Sequence, residues 1–445
     1  MHQTSRILHR SLSTAYPTAV SAAGCYIRDS AGKQYLDASS GIAVSCLGHS
    51  HPRMLDAIKR QMERLQFAHT SFFTSDAAEE LAETLSKSAA GGPWRVFFVS
   101  GGSEATEAAL KLSRQLQVER GELKRDCFFS RWYSYHGNTL GALSVSGNRG
   151  RRTLYEPILV GTVRLVEPCF AYRHKHTSES DGEYGARAAL SLAQAMGEHQ
   201  GRGISFIAET VVGATLGAVP PVRGYFKSVR ETCSLNGAFM IADEVMCGIG
   251  RCGSQFAFEA EGIVPDMITL AKGLGAGYLP IGALMVKETL AEEIRRGSGA
   301  VQHGHTYVGH SIAAAAALEV QKVIAEERLV ERARLKGDEL QRRLRERFQN
   351  HPHIGDIRGR GLLVALELVA DRRSKTPFPA ERRLWAKIKA LALEEGLICY
   401  PGGGTADGIA GDHVLLAPPY IVSDGELDEM VDKLSRAIDR AIDAG

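Results

Sequence analysis

The chain has 445 residues, 44% hydrophobic and 23% charged, the make-up of an ordinary globular protein and too long for one small core. Lys and Arg number 53 against 51 Asp and Glu, a formal net charge of +2. That balance leaves no electrostatic footprint for nucleic acid or a membrane surface and points to a small-molecule partner.

The first fifteen residues are Ser-rich, carry Arg6, His9 and Arg10, and contain no acid. This faintly suggests a transit peptide, and an N-terminal arm of the folded protein is the preferred reading. Residues 24–37 alternate around a turn at Asp29–Gly32 and predict a hairpin. A helical period follows from Pro52 to Leu65. Strands are expected at Val96–Val99, Ser205–Ala208, Phe239–Ala242 and Met267–Ala271, and helices at Glu104–Glu119 and Ser311–Glu326. Short apolar strands alternating with helices predict an α/β fold with a parallel sheet. Residues 174–185 read as a polar loop, with His174 and His176 solvated rather than bound to metal. The Ala-rich run Ile312–Leu318 is too short to span a bilayer and reads as a buried helix. Residues 328–347 are dense in Arg and Glu, with Leu329, Leu335, Leu340 and Leu344 on a repeating face, the pattern of a solvated amphipathic helix. A second α/β unit follows, with a strand at Gly361–Leu368, a helix near Arg383–Glu395 and a last helix from Gly425. The eight cysteines form no CxxC pair and read as reduced thiols of a cytosolic protein.

Three strand ends carry the chemistry. In VFFVSGGSEATEAALKL (96–112) a Gly-rich turn opens a helix, so the N–H groups of Gly102 and Ser103 and the helix dipole can face an anion. A tight turn at Gly102 with Ser103 as N-cap explains the same residues structurally. In FMIADEV (239–245) Asp243 and Glu244 close an apolar strand at the sheet edge where α/β proteins bind ligands. An aspartate there can hold a ring nitrogen protonated, as an electron-sink cofactor needs. In MITLAKGLGAGYLPIGALMV (267–286) Lys272 follows a strand directly, where burial can prepare its amine to attack a carbonyl. Each feature alone has a bland explanation; the three together do not. GIGRCG (248–253) matches a dinucleotide fingerprint, but Asp243 and Glu244 stand just before it and would repel a pyrophosphate.

The sequence resembles the class III (ornithine and ω-amino acid) aminotransferases. The likeness runs from about residue 24 to the C-terminus through GIAVSCLGHSHP (41–52), SGGSEATEAALKL (100–112), YHGNTLGALS (135–144), AETVVGATLGAVPP (208–221), DEVMCGIGRCG (243–253), LAKGLGAGYLPIGALM (270–285), HTYVGHSIAAAAAL (305–318), IRGRGLLVALEL (357–368) and LAPPYI (416–421). It implies pyridoxal-phosphate fold type I: an α/β protein with a mostly parallel central sheet flanked by helices. Residues 1–65 would form an N-terminal arm and part of a small domain, 66–325 the large cofactor-binding domain, and 326–445 the rest of the small domain. It also implies a homodimer with shared active sites, pyridoxal 5′-phosphate as cofactor and no metal. By position, Gly102 and Ser103 bind the cofactor phosphate, Tyr135 stacks on its ring, Asp243 pairs with the ring nitrogen, and Lys272 carries the cofactor and moves the proton. Thr306 reaches the phosphate of the other subunit, and His136, Glu209 and Met246 complete the pocket.

The departures bear on substrate choice. Relatives that grip a substrate carboxylate with Arg after the aromatic-His-Gly motif have Asn138 as the counterpart here, and a second Arg before the PP motif is Leu415. Glu209 thereby loses an expected partner and is left to face a substrate amine or a water. A guanidinium fork is the best carboxylate receptor, and the candidates left are Arg149, Arg151, Arg152, Arg358 and Arg360. The expected activity is transfer of an amino group from an amine or ω-amino acid to a 2-oxo acid, pyruvate before 2-oxoglutarate, in the cytoplasm. A racemase or lyase on the same fold is the nearest alternative; a dehydrogenase or a non-catalytic binding protein is more remote.

Overall fold

The computed structural model describes residues 5–444. The expected hairpin is present: β1 (Ala19–Ala23), β2 (Tyr26–Asp29) and β3 (Gln34–Asp37) run antiparallel. Its turn closes because Asp29 Oδ1 accepts the backbone N–H groups of Ala31 and Lys33, both at 2.9 Å, while Gly32 takes the left-handed conformation at φ +86°.

Seven strands make the central sheet: β4 (Trp94–Val99), β5 (Cys127–Arg131), β6 (Val163–Val166), β7 (Gly203–Glu209), β8 (Phe239–Asp243), β9 (Met267–Leu270) and β10 (Gly282–Lys287). Their order is β4-β10-β9-β8-β7-β5-β6. Only β10 is antiparallel to its neighbours; the other pairings are parallel. Every residue of β7, β8 and β9 is buried, as a sheet covered on both faces requires. Ile207, Phe239 and Ile241 pack with Ala108, Leu112 and Leu116 of the Gly102–Glu119 helix. On the opposite face Phe206, Met240 and Ala242 share a core with Tyr184, Leu192, Phe226 and Val229 of the Asp181–Glu198 and Tyr225–Leu235 helices.

The C-terminal unit holds β11 (Ile354–Arg360), β12 (Leu363–Leu368), β13 (Leu397–Ile398), β14 (Tyr400–Gly403) and β15 (Asp412–Leu416). An antiparallel sheet runs β11-β12-β15-β14, and β13 joins β3 in parallel, so chain ends far apart in sequence share one sheet. The helices Leu329–Phe348, Leu384–Glu394 and Asp424–Asp443 supply its core with Leu340, Leu344, Ile388, Leu427 and Leu434.

Three expectations need correction. Residues 181–185 are not loop: the Asp181–Glu198 helix begins there, closed by a capping box in which Ser180 and Glu183 satisfy each other's backbone N–H. His174 is not simply solvated, since it packs edge-on against Phe170 at 6.0 Å and burial pulls its pKa down; His176 is exposed, and no cluster of three or more metal-binding side chains occurs among the described residues. Leu335, placed on the apolar face of its helix, is 52% exposed. Among the described residues no helix is long and apolar enough to cross a membrane. The first four residues of the predicted arm lie outside the described residues.

Candidate active site

The carboxyl ends of β4, β5, β7, β8 and β9 converge on a cavity of about 170 Å³ lined by Gly102, Ser103, Tyr135, His136, Gly137, Glu209, Ala214, Asp243, Val245, Met246 and Lys272. Parallel register brings the acids together: Glu209 pairs with Asp243, and Asp243 with Thr269, three residues before Lys272. All eleven lie within motifs legible in the sequence. Of the expected site residues, only Thr306 stands apart, exposed in the loop before the Ser311–Glu326 helix.

Asp243 is held from three sides. Its Oδ2 lies 2.6 Å from His136 Nδ1, and its Oδ1 accepts from Val245 N (3.0 Å) and the Thr269 hydroxyl (3.2 Å). His136 Nε2 lies 3.2 Å from the Ser130 hydroxyl, and its backbone is pinned by Ser146 and Thr106. A buried carboxylate needs such partners.

Lys272 opens the turn after β9 in the left-handed conformation (φ +47°), a rare state for a side-chain-bearing residue and a frequent mark of functional sites. Burial lowers its pKa, opposed by the Asp243 and Glu209 carboxylates, while the Arg151 charge lowers it further. The result is an amine shifted toward its neutral, nucleophilic form.

Glu209 does not stand free. Its Oε2 accepts from Tyr135 N (3.2 Å) and its Oε1 from Gly213 N (3.0 Å), so it clamps two loops, and burial raises its pKa. The expected lost partner is replaced by backbone amides, a substitution invisible to motif comparison. Leu415 is fully buried in an apolar cluster with Ala218, Met246, Leu363, Ala365 and Ala417, and Asn138 is exposed, its N–H donating to Ser103 Oγ at 3.0 Å.

The helix N-cap is Gly101 rather than Ser103. Close approach governs this end of the cavity: a Cβ on Gly102 would meet Val245 Cγ1 at 2.8 Å, and one on Gly137 (φ +137°) would meet Ser103 Oγ at 2.6 Å. Backbone N–H groups at a helix start, set in a cradle that side chains would fill, suit a phosphate. The GIGRCG segment is instead a packing turn: a Cβ on Gly253 would meet Arg334 Cβ at 2.8 Å and one on Gly248 the Glu244 carbonyl at 2.7 Å.

Of the candidate carboxylate receptors, Arg152 donates to the carbonyls of Leu143, Ser144 and Ser146. Arg358 is bound by Asp356, Glu367 and the carbonyls of Leu216 and Gly217, and Arg360 by Glu261. Arg149 stacks on Trp132 at 5.1 Å. Arg151 alone of the five reaches a cavity residue, lying 4.4 Å over the Tyr135 ring.

A strand-end amine, an aspartate fixed beside it, an aromatic ring and an anion cradle fit pyridoxal phosphate group by group, and the fold is that of the fold type I enzymes which use it. The class III aminotransferase family matches residues 10–438. An uncharacterized aminotransferase of Schizosaccharomyces pombe is 41% identical over 96% of this chain and 94% of its own length. Among solved structures, the pyridoxamine-phosphate-bound form of a Vibrio fluvialis aminotransferase superposes with a TM-score of 0.90 at 31% identity, covering 96% of this chain and 93% of that one. An (S)-enantioselective ω-transaminase from Thermomicrobium roseum does so with a TM-score of 0.90 at 31% identity over 97% and 94%. The chain belongs to the class III aminotransferases, and its cofactor is pyridoxal 5′-phosphate.

Proposed function

We propose that this aminotransferase moves an amino group from an amine or ω-amino acid to a 2-oxo acid, with pyruvate as acceptor, as a cytoplasmic homodimer with shared sites. In this reading residues 66–325 form the cofactor-binding domain, and 1–65 with 326–445 the smaller one. Lys272 would hold the cofactor through its amine, and that amine, buried at the cavity, would serve as the group that moves the proton. Asp243, oriented by His136, keeps the ring nitrogen protonated. Tyr135 covers the ring, Gly102 and Ser103 hold the phosphate, and Thr306 reaches the phosphate of the neighbouring subunit. Glu209 and Met246 shape the pocket wall. When bound, pyridoxal phosphate supplies the aldehyde that takes up the amino group and the ring that withdraws electrons.

The acceptor assignment rests on Leu415. It is fully buried among apolar side chains, and Asn138 is uncharged, so neither position offers a cation to a second carboxylate. A desolvated carboxylate without a cation is too costly to accept. Steady-state rates with one amine donor and either acceptor test this: 2-oxoglutarate should be at least about tenfold worse than pyruvate in kcat/KM, roughly 1.4 kcal/mol. A preference for 2-oxoglutarate would overturn the assignment.

A further inference from the structure

We infer that Arg151 is the receptor for the substrate carboxylate. The inference rests on the transfer reaction proposed above and adds the residue that selects its substrates: acids with a single carboxylate, held by the one guanidinium beside Tyr135.

Four observations converge on this side chain. It lies over Tyr135, a wall of the cavity, at 4.4 Å from the ring centroid. Among the described residues it has no carboxylate partner, and its guanidinium makes one hydrogen bond, 3.4 Å to the Tyr400 hydroxyl. Stacking fixes the plane of the fork while leaving N–H donors unspent. Tyr400 is the cross-strand partner of Leu415 between β14 and β15, so the two side chains share a face of that sheet. Both belong to one apolar cluster with Met246 and Ala214, which line the cavity; the Tyr400 contact thus places the guanidinium beside the cluster in which Leu415 offers no charge. Finally, two buried guanidiniums are anchored elsewhere: Arg131 donates to the Glu209 carbonyl and lies over Tyr225 and Phe226, and Arg251 donates to the carbonyls of Leu362 and Pro418 and lies over Tyr420. The influence of the Arg151 charge on Lys272 is consistent with this placement.

A side chain whose task is only to brace Tyr135 would look similar at rest, so the test separates the two roles. Holoenzyme carrying Arg151→Gln is compared with wild type in two half-reactions, one with pyruvate and one with 1-phenylethylamine, which has no carboxylate. We expect KM for pyruvate to rise about thirtyfold, the scale of a lost charge-assisted pair. The loss with the amine should be at least about tenfold smaller, and Arg151→Lys should recover part of the pyruvate affinity. Equal losses with both substrates, or an unchanged pyruvate KM, would overturn the proposal. A second readout is independent of turnover: calorimetric titration of propionate into the wild-type holoenzyme should show binding that weakens in Arg151→Gln and is partly kept in Arg151→Lys. If the wild type transfers no amino group to pyruvate, the proposed reaction fails, and the propionate titration alone still decides the role of Arg151.

Discussion

Asp243 accepts from His136 Nδ1 at 2.6 Å and from Val245 N and the Thr269 hydroxyl, which leaves its carboxylate one orientation at the sheet edge. Asp243→Asn keeps the shape and removes the charge. Cofactor should remain bound, as seen in its absorbance, while turnover drops at least about a hundredfold, roughly 2.7 kcal/mol of barrier; near-normal rates would assign the ring nitrogen to another group. The adjacent Glu244 points elsewhere and serves structure. It is fully buried, accepting from Thr210 (2.6 Å), Ala257 N (2.7 Å) and Phe258 N (3.0 Å), and burial pushes its pKa up from 4.5 to about 7. Between those pH values the folded chain holds a proton that the unfolded chain has lost. The stabilisation is thus complete below about 4.5 and is lost as pH rises through about 7, an effect of about 3 kcal/mol. Denaturant unfolding across pH 5 to 7 should show that decline, and Glu244→Gln should flatten it. The two acids are adjacent in sequence and alike in type; only their surroundings place one at the cavity and bury the other among backbone donors.

Gly337 shows the same contest within an element. It lies inside the Leu329–Phe348 helix, where Ala is favoured over Gly by about 1 kcal/mol. Yet a Cβ there would collide with the Gly361 carbonyl oxygen, in the turn between β11 and β12. Gly337→Ala should therefore lower stability by about 2 kcal/mol or more, since the helix must lift off the sheet, and the urea midpoint measures it. An unchanged or raised midpoint would mean that the helix shifts freely. Elements with a strong period were legible before folding. The Ser311–Glu326 helix has the expected bounds because its apolar face is continuous. The Asp181–Glu198 helix is not among the expected elements, and its polar first turn, DGEY, reads as loop although Ser180 and Glu183 cap it. Leu335 fits the apolar period but is left half exposed.

At the scale of the molecule, the proposed shared site predicts complementation. A dimer pairing one Lys272→Ala chain with one Thr306→Glu chain has one site lacking both groups and one site intact. With random pairing, co-expression of two inactive variants should recover about a quarter of wild-type activity. No recovery, with mixed dimers demonstrated by differential tags, would place Thr306 outside the partner's site. Restoring a cation by Leu415→Arg puts a charge into a fully buried apolar cluster and should destabilise the fold by several kcal/mol, read as a fall in Tm. The sequence by itself determined the α/β architecture and the groups at the strand ends, because hydrophobic period and strand–turn–helix chemistry are written locally. It named Gly102, Ser103, Asp243 and Lys272 for that reason, while Tyr135 came only through the family resemblance. Only the tertiary structure decided that Glu209 clamps the backbone of Tyr135 and Gly213, and that Arg151 rather than its four rivals stands beside the cavity. The first outcome depends on a contact between residues 74 positions apart, the second on the register of β14 with β15 and the contact of Arg151 to Tyr400, 249 positions apart, distances over which no local pattern carries information.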